Sequence, residues 1–251
     1  VIEVPLSEAS RFGIMTTDAD DRITKFSEKP KNPDSTKASM GIYIFNKEKL
    51  FKYLREDEAN EKSSNDFGKN VIPAMLAAGE KMYAYPFSGY WKDVGTIRSL
   101  WEANMDLIKD EPELNLGDKD WRIYSRSAIM PAHYMGRHGS AVRSIVTEGC
   151  DVDGAIRHSV LFAGVTIGEG AEVSDSVVLP GARIGANAVV KKAIVGENAT
   201  VHAGAVVGAP PYDTSLTGDI TLVASNTSIR PGARVPAGMI VNADTFGGKE
   251  G

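Results

Sequence analysis

A glutamate and a lysine stand side by side in the motif FSEKP (Phe26–Pro30), just before a turn-forming proline. On an extended segment adjacent side chains point to opposite sides, so Glu28 and Lys29 would face different parts of a pocket wall. A lysine ammonium is a suitable point charge for a phosphate group. The pair could therefore bind a phosphate, although on these residues alone a surface turn is the commoner explanation.

A second candidate is the motif YWKDVGT (Tyr90–Thr96), which places Asp93 between an aromatic strand end and the start of a helix. A carboxylate there is suited to hold Mg²⁺, and Gly95 would let the backbone approach a ligand closely. The alternative is a helix-capping aspartate. Asp66 and Phe67 form a third pair, for which an N-terminal cap and a core aromatic are the commoner roles.

The elements that must position these residues indicate a mixed α/β first half. Short apolar runs predict strands at Ala38–Asn46 and Tyr83–Phe87. Helical spacing and end signals predict helices at Lys47–Glu56, Asp66–Gly79 and Thr96–Lys109. The last helix would present one apolar face, made of Ile97, Leu100, Trp101 and Ile108.

The composition changes sharply near residue 140. Residues 141–251 hold 16 of the 25 glycines and 17 of the 21 valines but none of the three tryptophans. They carry 19 charged residues, against 42 in the first 140. Such a segment cannot share one architecture with the part before it. We therefore predict two domains, 1–110 and 141–251, joined by a linker at 111–140.

The second half contains an internal repeat, because aliphatic residues recur every five or six positions. The repeating positions are Ile167, Val173, Leu179, Ile184, Val190, Val195, Val201 and Val207, and then Val223, Ile229, Val235 and Val241 after an interruption that contains Pro210, Pro211 and Gly218. This period predicts one short strand and one turn per repeat, with an aliphatic residue pointing inward at each corner of a prism. Twelve matched positions make a β-sandwich with accidental spacing a poor alternative.

Charge and composition exclude several classes of protein. The 251 residues contain 28 Lys and Arg against 33 Asp and Glu, a formal charge of −5, which argues against a nucleic-acid or anionic-membrane surface. Cys150 is the single cysteine, so it cannot form an internal disulfide, and this fits a reducing cytosol. No apolar run approaches the roughly 18 residues of a spanning helix. These features predict a cytoplasmic protein without a membrane or nucleic-acid partner.

Five motifs in order closely resemble the bacterial ADP-glucose pyrophosphorylases, also called glucose-1-phosphate adenylyltransferases. The motifs are EASRFG (Glu8–Gly13), FSEKP (Phe26–Pro30), ASMGIYIF (Ala38–Phe45), NDFGKNVIP (Asn65–Pro73) and YWKDVGT (Tyr90–Thr96). The resemblance covers essentially the whole chain. It implies an α/β part, a partial Rossmann-like nucleotidyltransferase domain, followed by an all-β part, a left-handed parallel β-helix of hexapeptide repeats.

One departure from the family pattern is large. The family begins with a glycine-rich GGxGTRL segment that grips the nucleoside triphosphate, followed by an aspartate that shares the metal. Neither is present in this sequence. We therefore expect the C-terminal part of a longer enzyme, with much of the sugar-phosphate side of the site and no synthesis of ADP-glucose by these 251 residues alone.

The resemblance also implies a role for each motif residue. Lys29 would pair with the phosphate of glucose 1-phosphate, and Glu28 would accept hydrogen bonds from sugar hydroxyls. Asp93 would be one Mg²⁺ ligand, so Lys29 and Asp93 would be the catalytic residues. Further substrate-binding residues would be Gly13 and Ser39 along the ADP-glucose site and Asp66, Phe67 and Trp91 at the sugar end.

The same resemblance implies ATP and glucose 1-phosphate as substrates in glycogen synthesis, and an allosteric homotetramer or heterotetramer with a related subunit. Two alternatives stay open. Hexapeptide β-helices often belong to acyltransferases with a histidine base, and His202 lies in a repeat, although an exposed turn is the commoner setting for it. A noncatalytic regulatory subunit of the same family is the other alternative, against which the retained Glu28-Lys29 pair and Asp93 argue.

Overall fold

The protein is described from a computed structural model that covers residues 1–124, 129–209 and 220–242. The chain forms two compact units, Val1–Trp91 and Lys92–Gly251. None of the helices in the described ranges is long and apolar enough to cross a membrane. The interruption that contains Pro210, Pro211 and Gly218 lies outside the described residues.

The first unit is built on a small antiparallel sheet in the order β1-β4-β2-β3. Its strands are β1 (Ile2–Glu3), β2 (Gly13–Thr17), β3 (Ile23–Glu28) and β4 (Lys37–Ala38). The helices are α1 (Leu6–Ala9), α2 (Lys47–Glu58), a π-helical turn (Phe67–Val71) and α3 (Ile72–Ala77). Two small apolar clusters stabilise this unit, one centred on Phe12 and Ile14 and the other on Tyr53, Val71 and Met75.

Two strand predictions in this unit are wrong. Ala38–Asn46 was predicted as one strand, but only Ala38 lies in a strand, and Ile42 and Ile44 are 72% and 100% exposed. Tyr83–Phe87 makes only an isolated bridge, between Tyr83 and Arg22. Both segments have strand composition, yet a strand forms only where a neighbouring strand completes its backbone hydrogen bonds.

The predicted helices are largely confirmed. The helix predicted at Lys47–Glu56 is α2, which Asn46 caps through its side-chain oxygen. The segment Asp66–Gly79 forms the π-helical turn and α3, with Pro73 in the first turn of α3, where its missing N–H costs no hydrogen bond.

The second unit begins with helix α4 (Ile97–Asp106) and continues into a parallel β-solenoid of three six-stranded sheets. One sheet contains β5 (Tyr134–Met135), β8 (Asp151–Val152), β11 (Thr166–Ile167), β14 (Arg183–Ile184), β17 (Thr200–Val201) and β20 (Ser228–Ile229). A second contains β6 (Ser140–Val142), β9 (Ala155–Arg157), β12 (Glu172–Ser174), β15 (Val189–Lys191), β18 (Val206–Ala209) and β21 (Arg234–Pro236). The third contains β7 (Ile145–Val146), β10 (Val160–Leu161), β13 (Val177–Val178), β16 (Ala193–Val195), β19 (Thr221–Val223) and β22 (Ile240–Val241).

The repeat predicted from the sequence therefore forms a solenoid, and eleven of its twelve aliphatic positions lie in the central apolar core. Leu179 is the exception, because its neighbour Val178 points inward instead. Partner residues in the central coils are 17 positions apart, as in Val160, Val177 and Ile194. The left-handed sense of the coil stays a prediction from the resemblance.

A column of buried serines closes the tight corner between the second and third sheets. Ser159 and Ser176 are fully buried, and each hydroxyl donates a hydrogen bond to the carbonyl two residues earlier. Each hydroxyl also accepts from a backbone N–H in the next coil, at Ser176 and Ala193 respectively, both at 3.1 Å. Each serine thus satisfies buried backbone groups that the short corner leaves without a strand partner.

The third sheet is apolar on both sides because helix α4 covers its outer surface. Val160, Val177 and Ile194 point outward from this sheet and pack with residues of α4 and its C-terminal turn, namely Ile97, Leu100, Trp101, Met105 and Ile108. The indole N–H of Trp101 also donates to the backbone oxygen of Asp175 at 2.7 Å. The predicted apolar face of α4 is therefore confirmed, and its partner is the solenoid.

The predicted domain limits 1–110, 111–140 and 141–251 stay predictions. The structure groups α4 with the solenoid in the second compact unit because of this packing. The first solenoid strand begins at Tyr134, inside the segment predicted as a linker.

Candidate active site

Gly13, Glu28 and Ser39 are brought together by backbone pairing in the first unit. Gly13 at the start of β2 lies directly opposite Glu28 at the end of β3. The backbone N–H of Ser39 donates to the carbonyl of Gly13 at 2.7 Å. Three residues that are distant in the sequence therefore lie at one end of the sheet.

The Glu28 carboxylate occupies space that two glycines leave open. A Cβ atom at Gly13 would lie 2.9 Å from Oε2 of Glu28, and a Cβ atom at Gly68 would overlap the same carboxylate. The side chain of Glu28 is only 20% exposed. Because the glycine backbones restrict where it can lie, the carboxylate has a defined position from which to accept hydrogen bonds.

Lys29 follows in a left-handed backbone conformation with φ of 45°, directly before Pro30. Its backbone N–H donates to the carbonyl of Phe12 at 3.0 Å, which holds this turn against the sheet. The ammonium lies 3.8 Å from Oε1 of Glu28, and the side chain is 65% exposed. A non-glycine residue in this region is uncommon and costs about 1 kcal/mol, so the surrounding structure must maintain it. The ammonium remains accessible to a phosphate group from solvent.

Asp66 and Phe67 have separate roles in the structure. The Asp66 carboxylate accepts a hydrogen bond from the backbone N–H of Lys69 at 2.9 Å and caps the π-helical turn. This is the N-terminal cap that the sequence analysis gives as the commoner role of Asp66. Phe67 is 38% exposed, so its interpretation as a core aromatic is wrong. Its ring stacks on the ring of Tyr43 with the centroids 6.0 Å apart, and its centroid lies 5.9 Å from that of the Phe45 ring. These three rings form an accessible aromatic surface.

Tyr43 connects this aromatic surface to Ser39. The hydroxyl groups of Ser39 and Tyr43 are 2.8 Å apart. The ring of Trp91 packs edge-to-face on the ring of Phe12, with the two ring centroids 5.6 Å apart. Phe12 is the residue directly before Gly13. The first unit therefore brings seven of the predicted site residues into one connected set: Gly13, Glu28, Lys29, Ser39, Asp66, Phe67 and Trp91.

Asp93 lies in the second unit, half-buried, and its carboxylate is next to Gly95. The N-cap of α4 is Thr96, whose hydroxyl accepts from the N–H of Ser99 at 3.0 Å. The assignment of Asp93 as a Mg²⁺ ligand stays a prediction.

Lys92 holds the segment around Asp93 against helix α4. Its ammonium lies 3.2 Å from Glu102 and 3.2 Å from Asp106. Burial opposes the charge on Lys92, but the hydrogen bonds to these two carboxylates prevail and raise its pKa above the ordinary value. The neighbouring Asp93 is therefore attached to a backbone that has limited freedom.

Sequence reasoning missed Tyr43, Gly68 and Lys92. Tyr43 and Gly68 lie inside the motifs ASMGIYIF and NDFGKNVIP, but their roles depend on contacts with Phe67 and Glu28. Lys92 had a usable signal, because carboxylates at positions 102 and 106 follow it on one face of the predicted helix.

His202 lies on an exposed turn of the solenoid, the setting that the sequence analysis gives as the commoner one. Its Nε2 atom is 3.0 Å from the hydroxyl of Ser228 in the next coil. The interruption of the repeat that follows this coil, with Pro210, Pro211 and Gly218, lies outside the described residues.

Two family models match successive parts of the chain. Residues 1–110 match a family model described as nucleotidyl transferase. Residues 127–217 match one described as GlmU-like, C-terminal hexapeptide. The boundary between these matches falls between α4 and the first strand of the solenoid.

Curated relatives carry the name glucose-1-phosphate adenylyltransferase. One from Clostridium botulinum (strain Alaska E43 / Type E3) is 60% identical over 176 residues, which is 70% of this chain and 46% of the relative. One from Clostridium perfringens (strain 13 / Type A) is 58% identical over 70% of this chain and 45% of its own length. One from Bacillus thuringiensis (strain Al Hakam) is 57% identical over 70% and 47% respectively. The chain thus spans about half the length of these relatives, and the resemblance predicted from the five motifs is confirmed.

Proposed function

We propose that this chain, a homologue of the glucose-1-phosphate adenylyltransferases, supplies the sugar-phosphate side of an active site that makes ADP-glucose and pyrophosphate from ATP and glucose 1-phosphate. The observation that carries the proposal is the set formed by Glu28 between two glycines, the exposed Lys29 ammonium beside it and the aromatic surface of Tyr43 and Phe67. A carboxylate next to aromatic rings suits a hexose, and an adjacent cation suits its phosphate.

Glu28 accepts hydrogen bonds from the hydroxyl groups of the sugar in this proposal. Because the Gly13 and Gly68 backbones limit its movement, less conformational freedom is lost when a sugar binds. The exposed rings of Tyr43 and Phe67 offer an apolar surface for the C–H face of the hexose. Ser39 contributes a hydroxyl that Tyr43 orients.

Lys29 binds and orients the phosphate. In the reaction a phosphate oxygen forms a new bond to the α-phosphorus of ATP, while the bond from that phosphorus to the pyrophosphate oxygen breaks. Both reactants are anions, so the ammonium reduces their repulsion and holds the attacking oxygen in line. No covalent intermediate with the protein is needed.

Asp93 is proposed as a ligand of Mg²⁺. A half-buried carboxylate fits this role because Mg²⁺ takes one or two carboxylates together with substrate phosphates and water. The bound ion would neutralise negative charge on the transferring phosphates. Lys92 restricts the backbone that carries the Asp93 carboxylate, because its ammonium forms ion pairs with Glu102 and Asp106.

The wider proposals rest on the relatives and on the family resemblance. ADP-glucose would serve glycogen synthesis in the cytoplasm, and the solenoid would provide the surface for an allosteric tetramer, of like chains or with a related subunit. The last coil within the described residues contains strands β20, β21 and β22, whose outer edges are the terminal edges of the three described sheets. Such edges need a cap or a partner.

Binding of glucose 1-phosphate to the 251-residue chain tests the sugar-phosphate site, with isothermal titration calorimetry as the measurement. Lys29→Ala should raise the Kd about 10- to 100-fold, since a hydrogen bond to a charged group contributes about 1.5–3 kcal/mol. Lys31→Ala is the matched control, because Lys31 is an exposed lysine two residues away. Equal losses in the two variants, or no binding by the unchanged chain, would contradict the proposal.

Turnover is measured on a chimera that joins this chain to the remaining part of the Clostridium botulinum relative. Lys29→Ala should mainly raise KM for glucose 1-phosphate. Asp93→Asn should mainly lower kcat, by at least about tenfold, the loss typical even for an outer-shell partner of a metal. If neither constant changes, the two residue assignments are wrong.

The chimera assay also distinguishes the two alternatives. A noncatalytic regulatory subunit would tolerate Lys29→Ala and Asp93→Asn without any change in turnover. An acyltransferase would instead consume acetyl-CoA in the presence of an amino sugar, and that activity would fall in His202→Ala.

A further inference from the structure

Three potential metal ligands meet at one corner of the solenoid, where each belongs to a different one of three successive coils. His138 lies between β5 and β6, Asp153 between β8 and β9, and Glu169 between β11 and β12. Nδ1 of His138 is 3.5 Å from Oδ1 of Asp153 and 3.8 Å from Oε1 of Glu169. All three ligand atoms lie within 4.8 Å of one another, and among the described residues no other group of three meets this condition.

The distances between these three ligand atoms approach the distances between ligand atoms around a bound divalent ion. A tetrahedral Zn²⁺ with ligands at about 2.1 Å places its ligand atoms about 3.4 Å apart. Small side-chain rotations would close the difference, because Glu169 is 71% and His138 52% exposed. The exposure leaves room for water as the remaining ligand.

The backbone already holds two of the three ligands in place. The N–H of His138 donates to Oδ1 of Asp153 at 2.8 Å, and the N–H of Asp153 donates to the carbonyl of Ile167 in the next coil at 2.8 Å. A Cβ atom at Gly136 would lie 2.5 Å from Oδ1 of Asp153, so this glycine leaves space for the carboxylate. Parallel stacking of the coils then places Glu169 above the pair.

We propose that His138, Asp153 and Glu169 bind a divalent transition-metal ion of the Zn²⁺ class and thereby link three successive coils at the start of the solenoid. One imidazole and two carboxylates favour Zn²⁺ or Co²⁺ over Mg²⁺, which prefers an all-oxygen shell. The ion also removes the repulsion between two carboxylates that lie close together. Binding therefore stabilises the folded coils, since the unfolded chain does not hold the three ligands together.

A second histidine on the solenoid offers a matched control. His158 lies 2.7 Å from Asp175 on a different corner, so it has one carboxylate partner at hydrogen-bond distance. The corresponding positions in the preceding and following coils are Arg143 and Lys192, which carry positive charge instead of a third ligand. This corner should not concentrate a cation.

The test is titration of the untagged 251-residue chain with Zn²⁺ by calorimetry, and with Co²⁺ by visible absorption. One Zn²⁺ should bind per chain, with a rise in the thermal unfolding midpoint. His138→Ala and Glu169→Gln should each weaken binding at least about tenfold, because a ligand matters at least as much as an outer-shell partner. His158→Ala should bind as the unchanged chain does, with the same circular dichroism spectrum in all variants.

Three results would overturn the proposal: no saturable binding of Zn²⁺, full binding by His138→Ala, or an equal loss in His158→Ala. The last result would indicate unspecific binding to surface histidines. The Co²⁺ spectrum adds an independent readout, since loss of the imidazole in His138→Ala should change the absorption bands that the unchanged chain shows.

Discussion

At the scale of single residues, Glu28 owes its position to neighbours that lack a side chain. The FSEKP motif identifies Glu28, whereas the role of Gly68 depends on the packing of the π-helical turn against the Glu28 carboxylate in the tertiary structure. A Cβ atom at Gly68 would overlap atoms at the end of the Glu28 side chain, which is flexible and can move away. A substitution at Gly68 should therefore displace Glu28 more than it destabilises the fold.

Gly68→Ala tests this relation. We expect glucose 1-phosphate affinity to fall about tenfold, with a change of less than about 1 kcal/mol in the free energy of unfolding, because the displaced group rotates away instead of straining the core. Calorimetric titration and urea unfolding measure the two quantities. Gly117→Ala serves as the control, since a Cβ atom there meets only the side chain of Asn115. A large loss of stability without a loss of affinity would contradict the expected role.

At the scale of elements, helix α4 explains why one sheet of the solenoid has apolar residues on both sides. At its outward-facing positions the first sheet has polar residues such as Arg183 and Thr200, whereas the third sheet has Val177 and Ile194, which are buried. The sequence contained this signal as pairs of adjacent aliphatic residues that recur once per coil, as at positions 160–161, 177–178 and 194–195. Since both members of a pair are buried, a second layer must cover that face.

Trp101→Ala should weaken the packing of α4 on the solenoid. The change removes a partly buried ring and the hydrogen bond to the carbonyl of Asp175, and we expect a loss of about 2–4 kcal/mol in the free energy of unfolding. Trp121→Ala is the matched control, because that ring is 81% exposed and should cost less than about 0.5 kcal/mol. Similar midpoints of urea unfolding in the two variants would show that α4 does not depend on this contact.

At the scale of the whole molecule, stability should fall at alkaline pH. Burial raises the pKa of the Cys150 thiol, whose side chain is 2% exposed, so the unfolded chain releases this proton first. Stability therefore declines as the pH rises above 9.0, the ordinary pKa of a cysteine. The raised pKa of Lys92 acts in the same direction, because its contribution is complete below its unfolded pKa of 10.5 and is lost as the pH rises through the folded value.

Urea unfolding at pH 7, 9, 10.5 and about 11.5 measures this dependence. Cys150→Ala should make the decline between pH 9 and 10.5 shallower, while Lys92→Met should be less stable at pH 7 and should lose less stability than the unchanged chain above pH 10.5. Since Cys150 is the single cysteine, its reaction with a thiol reagent also reports opening of the solenoid core. Parallel pH profiles in all three proteins would contradict the assignment of these groups.

The sequence by itself determined the solenoid, helix α4 and the motif residues, because each of these depends on local periodicity or on short segments. In this solenoid the strand partners are 15 to 18 positions apart except across the interruption, so a repeat in the sequence is also a repeat in space. Only the tertiary structure decided that Val178 replaces Leu179 in the core and that Phe67 is accessible. It also decided that residues 39–46 form no strand. These outcomes depend on one short corner and on which neighbouring segments offer hydrogen-bond partners, and no local pattern contains that information.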